Sequence, residues 1–219
     1  MAEKIPNIII ADDHDMFKDA LKSMIEMEGI ASVESLASNG VELLEQLENH
    51  IPDIILMDID MPKLNGIETT RKVKNKYPHV KVIVLSMFGE EKYYREMIEA
   101  GANGFVLKSS GKSELQKAIA EVYKGESYFS NELLLKIINK IGNAKSSLSV
   151  NKQTINFTDR EAELMQYLCK GLSTTEIAEQ LYLSAKTVEN YRVKLLHKTA
   201  CKNSIELVVY AIKHNIIEI

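Results

Sequence analysis

The chain has 219 residues, 45% of them hydrophobic and 26% charged, which fits a soluble globular protein and favours two domains over one. A net charge of −4 argues against nucleic-acid binding over the whole surface, and two cysteines, Cys169 and Cys201, are too few for a disulfide framework or a metal motif. The opening MAEKIPNIII lacks a signal-peptide pattern and no apolar run reaches membrane-spanning length, so the expected setting is reducing, cytoplasmic and away from membranes.

Charge is spread unevenly. Residues 1–129 carry 15 Lys and Arg against 22 Asp and Glu, whereas residues 156–219 carry 8 of each. Two parts with different tasks are expected.

The first part alternates between apolar runs and helical periodicity. NIIIA (7–11) is a strand stopped by Asp12-Asp13, and residues 15–28 follow as a helix with Phe17, Leu21, Met24 and Ile25 on one face. SVESLA (32–37) is a short strand, with Asn39 as cap of the next helix. DIILMD (53–58), VKVIVLS (80–86) and GFVLK (104–108) are strands followed by helices over 65–76, 90–100 and 112–124. Five such βα units imply a parallel sheet covered on both faces. Residues 131–142 have the pattern of a short amphipathic helix, and 143–154 is a polar linker. The last part has helix-start signals in Thr158 with Glu161, Ser173 with Glu176, Ser184 and Asn203, so four helices fill 159–214.

In open parallel sheets, ligands meet the carboxyl ends of the strands. The residues there are Asp12, Asp13, Asp58, Ser86 and Lys108. Clustered carboxylates repel unless a cation is present, and oxygen ligands in a shallow wet site suit Mg²⁺, or Mn²⁺ in its place. A lysine and a hydroxyl beside them suit a phosphoryl group, which leaves Asp58 as a nucleophile toward phosphorus. Each residue alone reads as readily as a solvated turn or a surface charge; all five at strand tips do not. No Walker motif is present, so a bound nucleotide is not expected.

The segments IADDHDMF, ILMDIDMPKLNG, VIVLS and GFVLKSS resemble the signature segments of response-regulator receiver domains, in order and spacing, over nearly all of residues 5–125. The resemblance implies a doubly wound five-stranded sheet in the flavodoxin-like order 2-1-3-4-5. It implies that Asp58 is the phospho-acceptor, and that Asp13, Asp58 and the backbone carbonyl of Asp60 hold Mg²⁺ with help from Asp12. Lys108 would pair with the phosphoryl oxygens, and Ser86 and Phe105 would form the switch pair. Phe105 has a plainer reading as a core aromatic. A rival enzyme reading takes Asp58 and Asp60 as the Asp-x-Asp motif of haloacid-dehalogenase-type phosphatases. Pro62 and the place on the third strand, where that motif normally sits on the first, count against it.

In the second part, TDRE, GLSTTEIAEQL, LSAKTVENY and KNSIELVVYAI resemble the helix-turn-helix output domain of the LuxR class over about 157–214. With the receiver, this resembles a response regulator of the NarL/FixJ type. Helix, tight turn and helix is the form that sets its second helix in a major groove. On a helical wheel, Val188, Tyr191 and Leu195 face the core, while Lys186, Asn190, Val193, Lys194 and His197 lie opposite, toward DNA. Asn190 suits adenine, Lys194 suits phosphate or guanine, and Thr187 reaches a phosphate. Arg192 falls near the core side and snorkels to the DNA backbone, which keeps it among the expected DNA contacts with Glu189. The stretch from Ser184 to Lys202 carries five basic residues and one acid, Glu189, where family members usually carry a base. KTACKN (198–203) also departs from the family, which more often has Leu-Gly after the Lys; Cys201 there reads as packing.

The expected organisation is a receiver over 1–127, a linker with a short helix over 128–154 and a helix-turn-helix domain over 155–219. The expected activity is not that of an enzyme with an external substrate. It is a DNA-binding response regulator, phosphorylated by a sensor histidine kinase, binding operator DNA as a homodimer and able to engage RNA polymerase.

Overall fold

The computed structural model describes residues 5–87, 91–129, 156–214 and 216. The helix expected over 131–142 and the linker over 143–154 lie outside the described residues. The chain divides into two compact units, Met1–Phe129 and Ser130–Ile219.

The first unit is a five-stranded sheet, β1 Asn7–Ala11, β2 Ser32–Ala37, β3 Ile54–Asp58, β4 Lys81–Ser86 and β5 Gly104–Leu107. All neighbours pair in parallel in the order β2-β1-β3-β4-β5, as expected. The crossover helices are α1 Asp15–Met27, α2 Gly40–Gln46, α3 Gly66–Lys76, α4 Glu91–Ala100 and α5 Lys112–Tyr123.

Alternation along the strands divides the core. Ile8, Ile10, Leu56, Ile83 and Leu85 pack on one face against Leu21 and Ile25 of α1 and Ile119 and Val122 of α5. Their neighbours Ile9, Ile55, Met57 and Val84, equally buried, point to the opposite face. Each large aliphatic removed from water contributes about 1.5–3 kcal/mol, which explains why strands of this kind are apolar throughout.

Side-chain caps start α2, where the sequence placed one, and α3. Asn39 accepts from Glu42 N and Asn65 from Glu68 N. The start of α3 lies hard against the tip of β3: Gly66 N donates to Ile59 O at 2.8 Å, and a Cβ at Gly66 would stand 2.0 Å from Asp58 O. Only glycine permits that approach.

The described part of the second unit contains α6 Asp159–Cys169, α7 Thr174–Leu181, α8 Ala185–Thr199 and α9 Ser204–Lys213. Thr158 with Glu161 and Ser173 with Glu176 form complete capping boxes, and Ser184 and Asn203 cap α8 and α9. Tyr182 ends α7 in the left-handed region, φ 55°, and the chain turns at once into α8. Leu164, Ile177, Leu181, Val188, Leu195 and Leu207 form the core between the helices. Lys198 Nζ reaches Glu161 Oε2 at 2.6 Å and ties the end of α8 to the start of α6.

Candidate functional site

Parallel pairing brings the tips of β1, β3, β4 and β5 together. Asp12 follows β1 and is fully buried, Asp58 ends β3 with 4% exposure, and Ser86 ends β4, buried, one residue past the partner of Asp58. Lys108 follows β5, and its ammonium stands 2.7 Å from Asp12 Oδ2 and 2.9 Å from Asp58 Oδ1. It also lies over the Phe17 ring, 5.0 Å from the centroid. Lys108 N donates to Ser86 O at 2.8 Å, which fixes the last turn of β5 to β4.

Asp13 and Asp60 are exposed at the mouth of this cluster. His14 was not assigned a role from the sequence, though it sits within the acidic run. Its backbone N–H donates to Asp12 Oδ1 at 2.9 Å, and its Nδ1 lies 2.8 Å from Asp13 Oδ1 and 3.2 Å from Asp12 Oδ1.

Burial, and then the nearby charge of Asp12, outweigh the Lys108 contact and raise the Asp58 carboxyl from 3.8 to about 6. Burial pulls the Lys108 ammonium down, but its bonds to Asp12 and Asp58 outweigh that and hold it above the ordinary lysine value. At neutral pH Asp58 is therefore mostly an anion, in contact with one cation and poorly solvated.

A hard divalent cation fits these residues. Ligand atoms of Asp12, Asp13, His14 and Asp58 all lie within 4.8 Å of one another. Asp12 Oδ2 is buried without an aligned hydrogen-bond partner; the Lys108 ammonium reaches it only as an ion pair. Clustered carboxylate oxygens, one of them buried with only an ammonium ion-paired to it, suit Mg²⁺.

Phe105 is buried on β5, edge-on to Tyr94 of α4 at 5.3 Å between centroids and 76° between planes. Phe129 packs on it at 5.2 Å and 40°. Neither partner was singled out in the sequence, because the three residues meet only through the fold.

In the second unit, Lys186, Asn190, Val193, Lys194 and His197 are exposed along one side of α8, with Thr187 and Glu189 half-buried beside them. Val188 and Leu195 are buried and Tyr191 is half-buried against the core. Lys186 Nζ lies 2.9 Å from Glu189 Oε2, and that contact holds the Glu189 carboxyl below the usual range. Arg192 stands apart from the other expected DNA contacts, on the core side where the wheel put it. It is 5% exposed, and its Nη1 lies 3.4 Å from Thr174 Oγ1 at the start of α7, so it does not share the exposed face. The helical turn that places Val188 and Leu195 inside carries Arg192 with them.

Comparison with known proteins agrees with both units. Residues 8–120 match the family of response regulator receiver domains, and residues 155–211 match the luxR family of bacterial regulatory proteins. The chain is 32% identical over 215 residues to the oxygen regulatory protein NreC of Staphylococcus epidermidis, covering 96% of this chain and 99% of that one. Among solved structures it is similar to the response regulator ChrA of a heme-sensing two-component system, with 26% identity, TM-score 0.53 and 96% and 98% of the two chains covered. It also shares its fold with RcsB of Salmonella enterica serovar Typhimurium bound to promoter DNA, at 24% identity, TM-score 0.55 and 95% and 99% coverage. The matches lend no support to the phosphatase alternative, and this is a family of transcription regulators. Among the described residues no helix is long and apolar enough to cross a membrane. The chain belongs to the DNA-binding response regulators of two-component systems, those that join a receiver domain to a LuxR-type helix-turn-helix.

Proposed function

We propose that Asp58 accepts a phosphoryl group from a sensor histidine kinase and that this drives operator binding through α8. The observation behind it is the buried Asp58 carboxylate at the tip of β3, 2.9 Å from Lys108 and beside Asp12. An Asp58 oxygen forms a bond to phosphorus as the donor's nitrogen–phosphorus bond breaks, and the donor imidazole leaves. Asp13, Asp58 and the Asp60 carbonyl, with Asp12, would hold Mg²⁺ or Mn²⁺, which supplies charge neutralisation for the transferring group. Lys108 balances the added charge once phosphorus is bound. The Ser86 hydroxyl takes one phosphoryl oxygen as acceptor, and Phe105 changes its packing in response.

In the second unit, Asn190 reads a base edge, while Lys186, Thr187, Lys194 and His197 meet phosphates or bases along one groove, and Val193 packs on a base. Glu189 trims the positive field of that face. A homodimer on paired half-sites, contact with RNA polymerase and a cytoplasmic location belong to the same reading. So do the boundaries of a receiver over 1–127, a linker over 128–154 and an output domain over 155–219. The promoter complex of RcsB supports DNA as the partner. A small phosphodonor with Mg²⁺ should add one phosphoryl group, released by hydroxylamine, and Asp58→Asn should accept none. Equal labelling of the variant would move the acceptor elsewhere.

A further inference from the structure

The first unit ends on its own switch aromatic. After α5 and a turn at Gly125, Tyr128 returns beside Gly104 as a single parallel bridge on the edge of β5. Phe105 N donates to Tyr128 O at 2.8 Å, and Tyr128 N donates to Asn103 O at 3.1 Å. The approach is close enough that a Cβ at Gly104 would stand 3.1 Å from Tyr128 O. The next residue, Phe129, is the last of the unit; it is buried, and its ring packs on Phe105, whose edge meets Tyr94 from α4. Phe105 is thus held between a helix of the receiver and the residue from which the chain continues toward the second unit.

We infer that Phe129 is a positioning residue that links the packing of Phe105 to the segment joining the two units, so that phosphorylation at Asp58 reaches DNA binding through it. Packed aromatic cores move between discrete arrangements and do not deform continuously. Phe105 cannot change its ring position without uncovering or repacking Phe129. Phe129 is bonded directly to the joining segment, and its backbone neighbour Tyr128 is hydrogen-bonded to Phe105 itself. The inference rests on the reading of Asp58 as acceptor and Phe105 as switch.

The test uses the full chain, Mg²⁺, beryllofluoride as a non-covalent phosphoryl probe, and an operator selected from random DNA by the phosphorylated protein. Operator affinity is measured with and without the probe, and probe affinity with and without operator. In the wild type each ligand should tighten the other by the same factor, about 5–150-fold, because coupling of binding free energies is reciprocal. Phe129→Ala should bind the probe alone as the wild type does, but both cross-effects should fall to within about twofold of unity. Phe129→Tyr, which keeps the ring, should restore them. Phe129→Leu, which keeps apolar volume without the ring, should lose most of the coupling even if Phe129→Ala fails to fold. Coupling in Phe129→Ala or Phe129→Leu equal to that of the wild type would overturn the inference and leave Phe129 as core filling. Failure of the wild type to bind the probe would instead bring down the acceptor reading, and the inference with it.

Discussion

The two units handle charge in opposite ways. In the receiver the charges at the centre of the proposed site are withdrawn from solvent: Asp12, Asp58 and Lys108 meet at strand tips, with Asp58 4% exposed. In the helical unit the charges proposed to meet DNA stand out along α8, and the buried cation, Arg192, is held against Thr174. A site for a small anion gains from a dry, low-dielectric setting where each charge acts strongly. A surface that must dock on a polyanion needs its cations outside, where they replace counterions. Substitutions in the first site should therefore disturb stability and chemistry together. On α8 the two should separate.

The largest effect is expected at Asp58. Asp58→Asn should abolish phosphoryl uptake, read by mass spectrometry, and should also stabilise the metal-free protein. Burial and Asp12 raise this carboxyl to about 6 from 3.8, so the folded state holds its proton more tightly than the unfolded chain. Stability from this group is complete below pH 3.8 and is lost as pH rises through about 6. At pH 7.5 the asparagine variant should unfold at higher denaturant, by on the order of 1–3 kcal/mol, and the gain should vanish near pH 4. Mg²⁺ at tenfold its dissociation constant should return about 1.4 kcal/mol to the wild type and far less to the variant. An unchanged denaturation midpoint at pH 7.5 would mean that Asp58 is better solvated than its burial indicates.

Gly66→Ala comes next, because its Cβ would collide with Asp58 O at 2.0 Å. A loss of about 2–4 kcal/mol in urea unfolding is expected, with slower phosphoryl uptake, since Asp58, the proposed acceptor, must shift. Stability and chemistry failing together is what the buried site requires. A stable variant with normal uptake would break the contrast on the receiver side.

On α8, Arg192→Ala should lower the stability of the helical unit by about 1–3 kcal/mol while its exposed neighbour Lys194→Ala changes it by less than about 0.5. Lys194→Ala should instead weaken binding to all DNA and flatten its salt dependence. Asn190→Ala should leave stability intact, cost about 1–3 kcal/mol of operator binding and relax preference at one base position. If Arg192→Ala kept full stability and lost DNA binding, the buried cation would belong to the contact surface after all.

The smallest effect is expected at Glu189, whose carboxylate is paired with Lys186. Glu189→Lys should tighten operator and random DNA alike, leaving their ratio within about tenfold. A larger loss of selectivity in competition binding would assign Glu189 to a cytosine.

Much of this was legible in the sequence, for a physical reason. Strands buried on both faces must be apolar, so a charge such as Asp58 at the end of IILMD stands out and marks a tip. Caps are local, so Asn39, Thr158, Ser173, Ser184 and Asn203 announced their helices without help from the fold. What escaped depends on contacts between distant segments. The Tyr128 bridge to Gly104 and the Phe129 ring on Phe105 join residues more than twenty apart, with no periodicity to reveal them. His14 was visible in ADDHD, but its reach to both neighbouring carboxylates depends on the turn that folds it back. Arg192 was legible in part: the wheel placed it toward the core, and its burial against Thr174 needed α7 in place.

The most direct measurement of the central claim is operator affinity of one preparation before and after stoichiometric phosphorylation, with Asp58→Asn treated in parallel. Phosphorylation of the wild type should tighten operator binding by about tenfold or more and leave the variant unchanged. Equal affinities in the two states of the wild type, with Asp58 carrying the phosphoryl group, would contradict the claim that the receiver controls the helix-turn-helix.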